Sequence, residues 1–257
     1  MPSNLLDFSG KTVIVTGAGS GLGRGIARCF AEAGARVVVH YFSSEAGACD
    51  VVAGIKAAGG TAVAVRADVR VTEQVEHLVA RSVSEFGSLD VLINNAGIYP
   101  MAPLLEMTGA QLEAMMAANL RSVHLCTQAA ARQMIQQQRG GAIVNIASIE
   151  AENPAPNHAH YDASKAGVLM YTRAAANELG PLGVRVNAVS PGVIWREGIE
   201  QAWPEGVNRY RAAAPLGRLG TPADVANACL FLASGAAGWI TGANLVVDGG
   251  VLTNRAY

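Results

Sequence analysis

Residues 11–25, KTVIVTGAGSGLGRG, read as a strand, a turn and the start of a helix. The first part, 11–17, is a short run rich in β-branched residues, as expected of a strand buried on both faces. The next part, 16–25, sets Gly17, Gly21 and Gly23 in the spacing G-x-x-x-G-x-G. Glycine allows a tight turn and lets a ligand approach the backbone closely. A helix through about Ala33 follows. Its N-terminus offers free N–H groups and the positive end of a dipole to an anion. A glycine-rich turn alone is weak evidence, but strand, glycine turn and helix in this order point to nucleotide binding.

The same alternation continues outward from this unit. Strands are expected over 35–41, 61–69, 88–97, 141–148, 183–192 and 244–250. Helices are expected over 44–60, 72–87 and 109–138, then one carrying Tyr161 and Lys165 to about Leu179, and one over 221–234. Thr72 and Thr221 are placed as N-caps, Gly87 as a helix end and Pro222 at the first helical position. Strand–helix alternation predicts an α/β fold: a parallel sheet with helices on both faces. Residues 193–220, with Trp195, Trp203, Pro204 and Pro215, are too long for an ordinary βα loop and read as a loop-rich insertion that lines or covers a site.

Composition excludes several classes of function. The 257 residues are 51% hydrophobic and 15% charged, with a net charge of −1 from 19 basic and 20 acidic residues. A sizeable core is available, and no excess of charge invites nucleic acid or an anionic membrane. Cys29, Cys49, Cys126 and Cys229 form no CxxC pair and suit a reducing compartment. The opening MPSNLLDFSG lacks a basic segment followed by an apolar one, and no apolar run is long enough to span a bilayer. The expected location is the cytoplasm.

The strand ends carry the chemistry. Asp68 ends the third strand and is a candidate for adenine contact; NNAG, 94–97, ends the fourth, and Ser148 ends the fifth. In a doubly wound sheet these ends share the carboxyl edge, where ligands bind. Tyr161 follows Ser148 by thirteen residues and precedes Lys165 by four. Four residues is about one helical turn, so the phenol and the ammonium share a face and can converge with Ser148. An adjacent ammonium favours phenolate over phenol, which marks Tyr161 as a proton-transfer group.

Taken together, these motifs resemble the short-chain dehydrogenase/reductase family over almost the whole chain. TGAGSGLG (16–23) is similar to that family's TGxxxGxG, NNAG matches as it stands, and Ser148 with YDASK (161–165) matches its Ser…YxxxK signature. SPG (190–192), VVDGG (246–250) and Asn119 in AANLRS also fit the family pattern. The resemblance implies one Rossmann-type NAD(P)-binding domain over 1–257, with about seven strands. It implies hydride transfer between a nicotinamide and a carbonyl or secondary alcohol. Tyr161 would be general acid and base, Ser148 a donor to the same oxygen, Lys165 a holder of the nicotinamide ribose, and Asn119 the holder of a relay water. It places the cofactor pyrophosphate at Gly17, Ser20, Gly21, Leu22 and Gly23, and the adenosine at Tyr41, Ser43, Ser44, Asp68 and Val69. The nicotinamide end would meet Asn95, Ala96, Gly97, Tyr161 and Lys165, and backbone atoms of Pro191, Gly192 and Ile194. Many relatives have a threonine after the PG of strand six; PGVIWREG (191–198) has none.

The substrate side is less determined. Glu150, His158 and Trp195 are candidate substrate contacts, with Glu152 and Asn153 as further polar groups. The alternatives to a general carbonyl or alcohol substrate are a 3-oxoacyl thioester and a polyol or sugar. A non-catalytic nucleotide-binding scaffold would have no need of Asn119, Ser148, Tyr161 and Lys165 together. His158 and His160 near Glu150 and Glu152 raise a metal reading, but the ligand pattern is incomplete and none is expected. Tyr41 stands where NAD-specific relatives carry an acid, and Ser43 and Ser44 can donate to a phosphate, with His40 or Arg24 as sources of positive charge. No Arg or Lys lies in 38–47, and Glu45 is close by. Preference for NADP(H), with NAD(H) possible, is therefore expected. Family resemblance, the weakly charged 109–138 segment and the apolar 238–247 segment suggest a homotetramer.

Overall fold

A computed structural model describes residues 6–253. Seven strands form one parallel sheet: β1 (Thr12–Val15), β2 (Arg36–Tyr41), β3 (Thr61–Arg66), β4 (Val91–Asn94), β5 (Gly141–Ile146), β6 (Val184–Pro191) and β7 (Asn244–Val247). Their order is β3-β2-β1-β4-β5-β6-β7, and every pairing is parallel. The chain reverses its direction of travel between β1 and β4, which opens a crevice beyond their carboxyl ends.

Alternation along the strands divides the core into two layers. Val13 and Val15 of β1, with Val37 and Val39 of β2, pack under helices α1 (Gly21–Glu32), α2 (Glu45–Ala57) and, further along the sheet, a C-terminal helix. Ile14 and Val38 face the opposite layer, with Leu78 of α3 (Thr72–Phe86), Met134 and Ala175. Among the described residues no helix is long and apolar enough to cross a membrane.

Most strands are shorter than their expected runs, and at β1, β3, β4, β5 and β7 two or more residues at the carboxyl end leave the sheet. The expected helix over 109–138 is α4 (Gly109–Met116), one π turn (Ala117–Arg121) and α5 (Ser122–Gln136). The helix α6 (Ala159–Leu179) carries Tyr161 and Lys165. The insertion over 193–220 is less loop-like than its composition suggests: α7 (Ile199–Ala202) and α8 (Pro204–Ala213) occupy half of it. Trp203 packs so closely on Gly206 that a Cβ there would lie 1.7 Å from the indole. The C-terminal helix α9 (Pro222–Ala233) has Thr221 as its N-cap in a capping box with Asp224. Thr72 is the first helical residue of α3, with Val71 in the cap position.

Candidate active site

The glycine turn is built by mutual exclusion of side chains. Gly17 and Gly21 have φ of +65° and +50°, a region costly for other residues. A Cβ on Gly23 would lie 2.3 Å from Gly17 O and 2.5 Å from Asn95 Nδ2. Asn95 Nδ2 donates to Thr16 O at 2.8 Å, and the N–H groups of Asn95 and Ala96 donate to Thr16 Oγ1. Asn95 is thus a brace for the turn. Ser20 is the exposed N-cap residue of α1 and makes no side-chain cap, the first turn holds no acid, and Gly21 opens onto empty space. That leaves N–H groups, including that of half-buried Leu22, at a positive helix end suited to a pyrophosphate.

At the adenosine end, Tyr41 OH donates to Glu45 Oε1 at 3.3 Å, and Ser44 Oγ lies 3.5 Å from Gly19 O. Ser43 is exposed and Val69 is buried. Asp68 is at the expected edge, but Arg70 grips its carboxylate at 2.7 and 2.8 Å and holds it below the usual range. His40 serves packing and does not supply the positive charge that was its other expected role. It is buried, Nδ1 accepts from Gly17 N–H, and Nε2 donates to Ala67 O. Burial pushes it down to about 4, so it is neutral and structural. Positive charge comes instead from Arg66, paired in register with Tyr41, and from Arg24, whose guanidinium donates to Gly19 O; Arg70, over the Phe42 ring, is neutralised by Asp68. Period-two alternation on the neighbouring strand was the available signal for Arg66.

At the other end of the crevice, Ser148, Tyr161, Lys165 and Asn119 converge. Ser148, just beyond β5, is the N-cap of a short 3-10 turn and accepts from Glu150 N–H at 3.1 Å; its hydroxyl lies near the Tyr161 phenol and favours the phenolate. Lys165 Nζ is buried, donates to Ile146 O at 2.8 Å and lies 5.7 Å from the Tyr161 ring centroid. Gly97 leaves the space between them: a Cβ there would sit 2.9 Å from Asn119 Oδ1 and 3.9 Å from Lys165 Nζ. Asn119 lies in the π turn with its side chain fully engaged. Oδ1 accepts from Ile98 N–H, and Nδ2 donates to Ile98 O and to Ser164 Oγ. One expectation is reversed here. Burial pushes the Tyr161 phenol up to about 12 and the Lys165 ammonium down to about 8. Desolvation disfavours both charged forms, and for the phenol it outweighs the opposing influence of the Ser148 hydroxyl.

Above Tyr161, Glu150 Oε2 receives His158 Nδ1 at 2.7 Å, and the His158 ring lies 5.7 Å from the Tyr161 ring. Asp162, which the sequence did not single out, closes on both, with ligand-type atoms of the three within 4.8 Å of one another. Glu152 turns away to accept from Asn244, Asn153 is exposed, and His160 is buried with Nδ1 unpartnered. Tyr99, also missed, is exposed near Tyr161 and adds to the rise of its pKa. Pro191 is buried at the end of β6. Gly192 N–H donates to Val247 O, and Ile194 bridges Gly220. Trp195 is half exposed, its N–H on Gly220 O. Tyr210 of α8 donates to Asp248 O and abuts Gly192, tying the insertion to the end of β7.

Comparison with known proteins agrees with this geometry. The family model described as enoyl-(acyl carrier protein) reductase matches residues 17–252. An L-rhamnose 1-dehydrogenase (NAD(P)+) of Azotobacter vinelandii is 45% identical over 249 residues, covering 95% of this chain and 97% of that protein. A 3-oxoacyl-[acyl-carrier-protein] reductase of Synechocystis is 40% identical over 246 residues, covering 95% and 98%. A 7α-hydroxysteroid dehydrogenase, solved with NADH and 7-oxo glycochenodeoxycholic acid, superposes with a TM-score of 0.92 at 37% identity, covering 97% of each chain.

Proposed function

Because the chain belongs to the short-chain dehydrogenase/reductase family, an oxidoreductase family acting on alcohols and carbonyls, we propose that Tyr161 carries its proton transfer. The carrying observation is the convergence of Ser148, Tyr161 and Lys165 at one site, with a half-buried phenol that desolvation holds neutral. A neutral phenol is ready to donate to a carbonyl oxygen, and Ser148 donates beside it; Glu150 N–H already fills one acceptor position on Ser148 Oγ. When bound, a nicotinamide supplies or takes the hydride. Lys165, buried beside Tyr161, would hold the nicotinamide ribose. The Asn119 side chain is spent on Ile98, so a relay water would use the main-chain carbonyl of the π turn.

The substrate reading is a polyhydroxylated alcohol of the sugar class, taken by Glu150, His158 and Trp195. Its support is the carboxyl–imidazole cluster over Tyr161 together with the rhamnose dehydrogenase relative. The 3-oxoacyl thioester reading is supported by the Synechocystis relative. NADP(H) is preferred because no acid ends β2 and Arg66 and Arg24 lie near; NAD(H) is also accepted. The chain forms a homotetramer in the cytoplasm, residues 193–220 act as a lid, and the four described cysteines are free, as a reducing compartment keeps them. The test is initial rates with L-rhamnose, other aldoses, secondary alcohols and a 3-oxoacyl thioester, each with both cofactors. Turnover of the thioester alone would overturn the sugar reading.

A further inference from the structure

Asp162 stands one residue after the tyrosine, in the first turn of α6, and nothing in the proton-transfer scheme uses it. Its carboxyl faces Glu150 and the backbone N–H of Ala155. Its Oδ1 is shut away from solvent without a donor in hydrogen-bond geometry. Two carboxylates pressed together, one with an orphan buried oxygen, lack one hydrogen. A proton on Asp162 supplies it: the acid donates to Glu150 and the orphan is satisfied.

We propose that Asp162 and Glu150 share one proton, and that this carboxyl pair is a positioning device for Ser148 and His158 around Tyr161. The connections run in a closed ring. Glu150 N–H holds Ser148 Oγ at 3.1 Å, and Glu150 Oε2 holds His158 Nδ1 at 2.7 Å. The His158 ring packs beside the Tyr161 ring, and the Ser148 hydroxyl lies near the Tyr161 phenol. Asp162 anchors Glu150, near the start of the 149–158 loop, to the helix that carries Tyr161. The groups facing the ring are His158 from the loop, Tyr161 and Lys165 from α6, Ser148 from the end of β5 and Tyr99 from the segment after β4. Glu152 faces Asn244 instead.

The pair is proton-linked, with a definite sign. Burial first, then Glu150, lifts Asp162 from 3.8 to about 6. A raised folded-state value means the contribution is full below the unfolded value and is lost as pH rises through about 6. Asp162→Asn keeps a donor for Glu150 at every pH and removes the titration.

The proposal rests on the assignment of Tyr161, so its test has one readout that needs no turnover. Thermal unfolding of wild type and Asp162→Asn is followed from about pH 5 to about pH 7.5. The wild-type midpoint, relative to the variant, should fall by a few degrees across that range. Rates are then measured with L-rhamnose and NADP+. Asp162→Ala should lower kcat about tenfold through misplacement of Ser148 and Tyr161, with the NADP+ Kd changed less than about twofold. Asp162→Asn should restore most of that loss. A flat difference in midpoint would overturn the shared proton. Wild-type kcat in Asp162→Ala would overturn the positioning role, and if Asp162→Ala does not fold, a kcat in Asp162→Asn reduced as far as in Tyr161→Phe does so. A pH step that vanishes with EDTA would give the cluster to a cation instead. Failure of the Tyr161 assignment shows separately, as turnover persisting in Tyr161→Phe, and leaves the unfolding result intact.

Discussion

At Tyr161 two opposed effects meet, and their sizes decide its resting state. Lys165 is close enough to pull the phenol toward phenolate, but its ammonium points at Ile146 O and is itself desolvated. Burial wins, and the phenol rests neutral. Tyr161→Phe removes the proton and the Ser148 partner but little volume. Turnover should fall by about 10³-fold with cofactor affinity nearly unchanged, measured by initial rates and by fluorescence titration with NADPH. Near-normal turnover would end the assignment. Tyr41 is the other deciding residue. It binds Glu45, so the nearest acid lies on α2 rather than at the end of β2. Tyr41→Asp would place a carboxylate at the end of β2, where the proposed adenosine site puts the ribose hydroxyls or a 2′-phosphate. The ratio of kcat/KM for NADP(H) over NAD(H) should drop about tenfold, the scale of one like-charge contact near a surface. An unchanged ratio would move the discrimination to Arg66 or Arg24.

Between elements, legibility followed sequence distance. The glycine turn and the Tyr161–Lys165 pair depend on spacings within one turn, and both were readable from the residues alone. The π turn at Ala117–Arg121 was not, because AANLR contains nothing that forbids an α-helix; it coincides with the grip of Asn119 on Ile98, 21 residues away. Asp162 was missed for the same reason: its partner Glu150 comes from a loop that folds back onto α6. The insertion was misjudged in texture, since α7 has only four residues and α8 hides its buried face, Val207 and Tyr210, behind charged neighbours. Gly198 and Gly217, both at positive φ, flank this unit and would be its hinges in the proposed lid, with the Tyr210–Asp248 contact released or kept as it moves. Amide exchange across 199–213 should slow several-fold on adding NADP+ and L-rhamnose together. Equal rates with and without ligands would refute the lid.

For the whole molecule, the sheet order was implicit in the alternation of elements, but the surfaces it leaves uncovered were not. One is a mostly apolar groove between α4, the π turn and α6, lined by Ala114, Ala117, Leu120, Gly167 and Met170, with Glu113, Arg121 and His124 also on its walls. Small residues hold its floor close: a Cβ on Gly167 would lie 3.0 Å from Leu120 Cδ2, and Met170 is 62% exposed above it. The other lies at the β7 edge of the sheet, where Val246 is partly exposed and Trp239 is fully so. Two separate apolar surfaces on one chain suit two isologous interfaces, and two perpendicular two-fold axes close a tetramer. Light scattering at micromolar concentration should give about four times the 26.5 kDa chain mass. Met170→Glu puts a charge into the α4–α6 groove and leaves the β7 edge intact, so the mass should halve to that of a dimer. A wild-type monomer would refute the assembly, and a Met170→Glu tetramer would remove the groove from it.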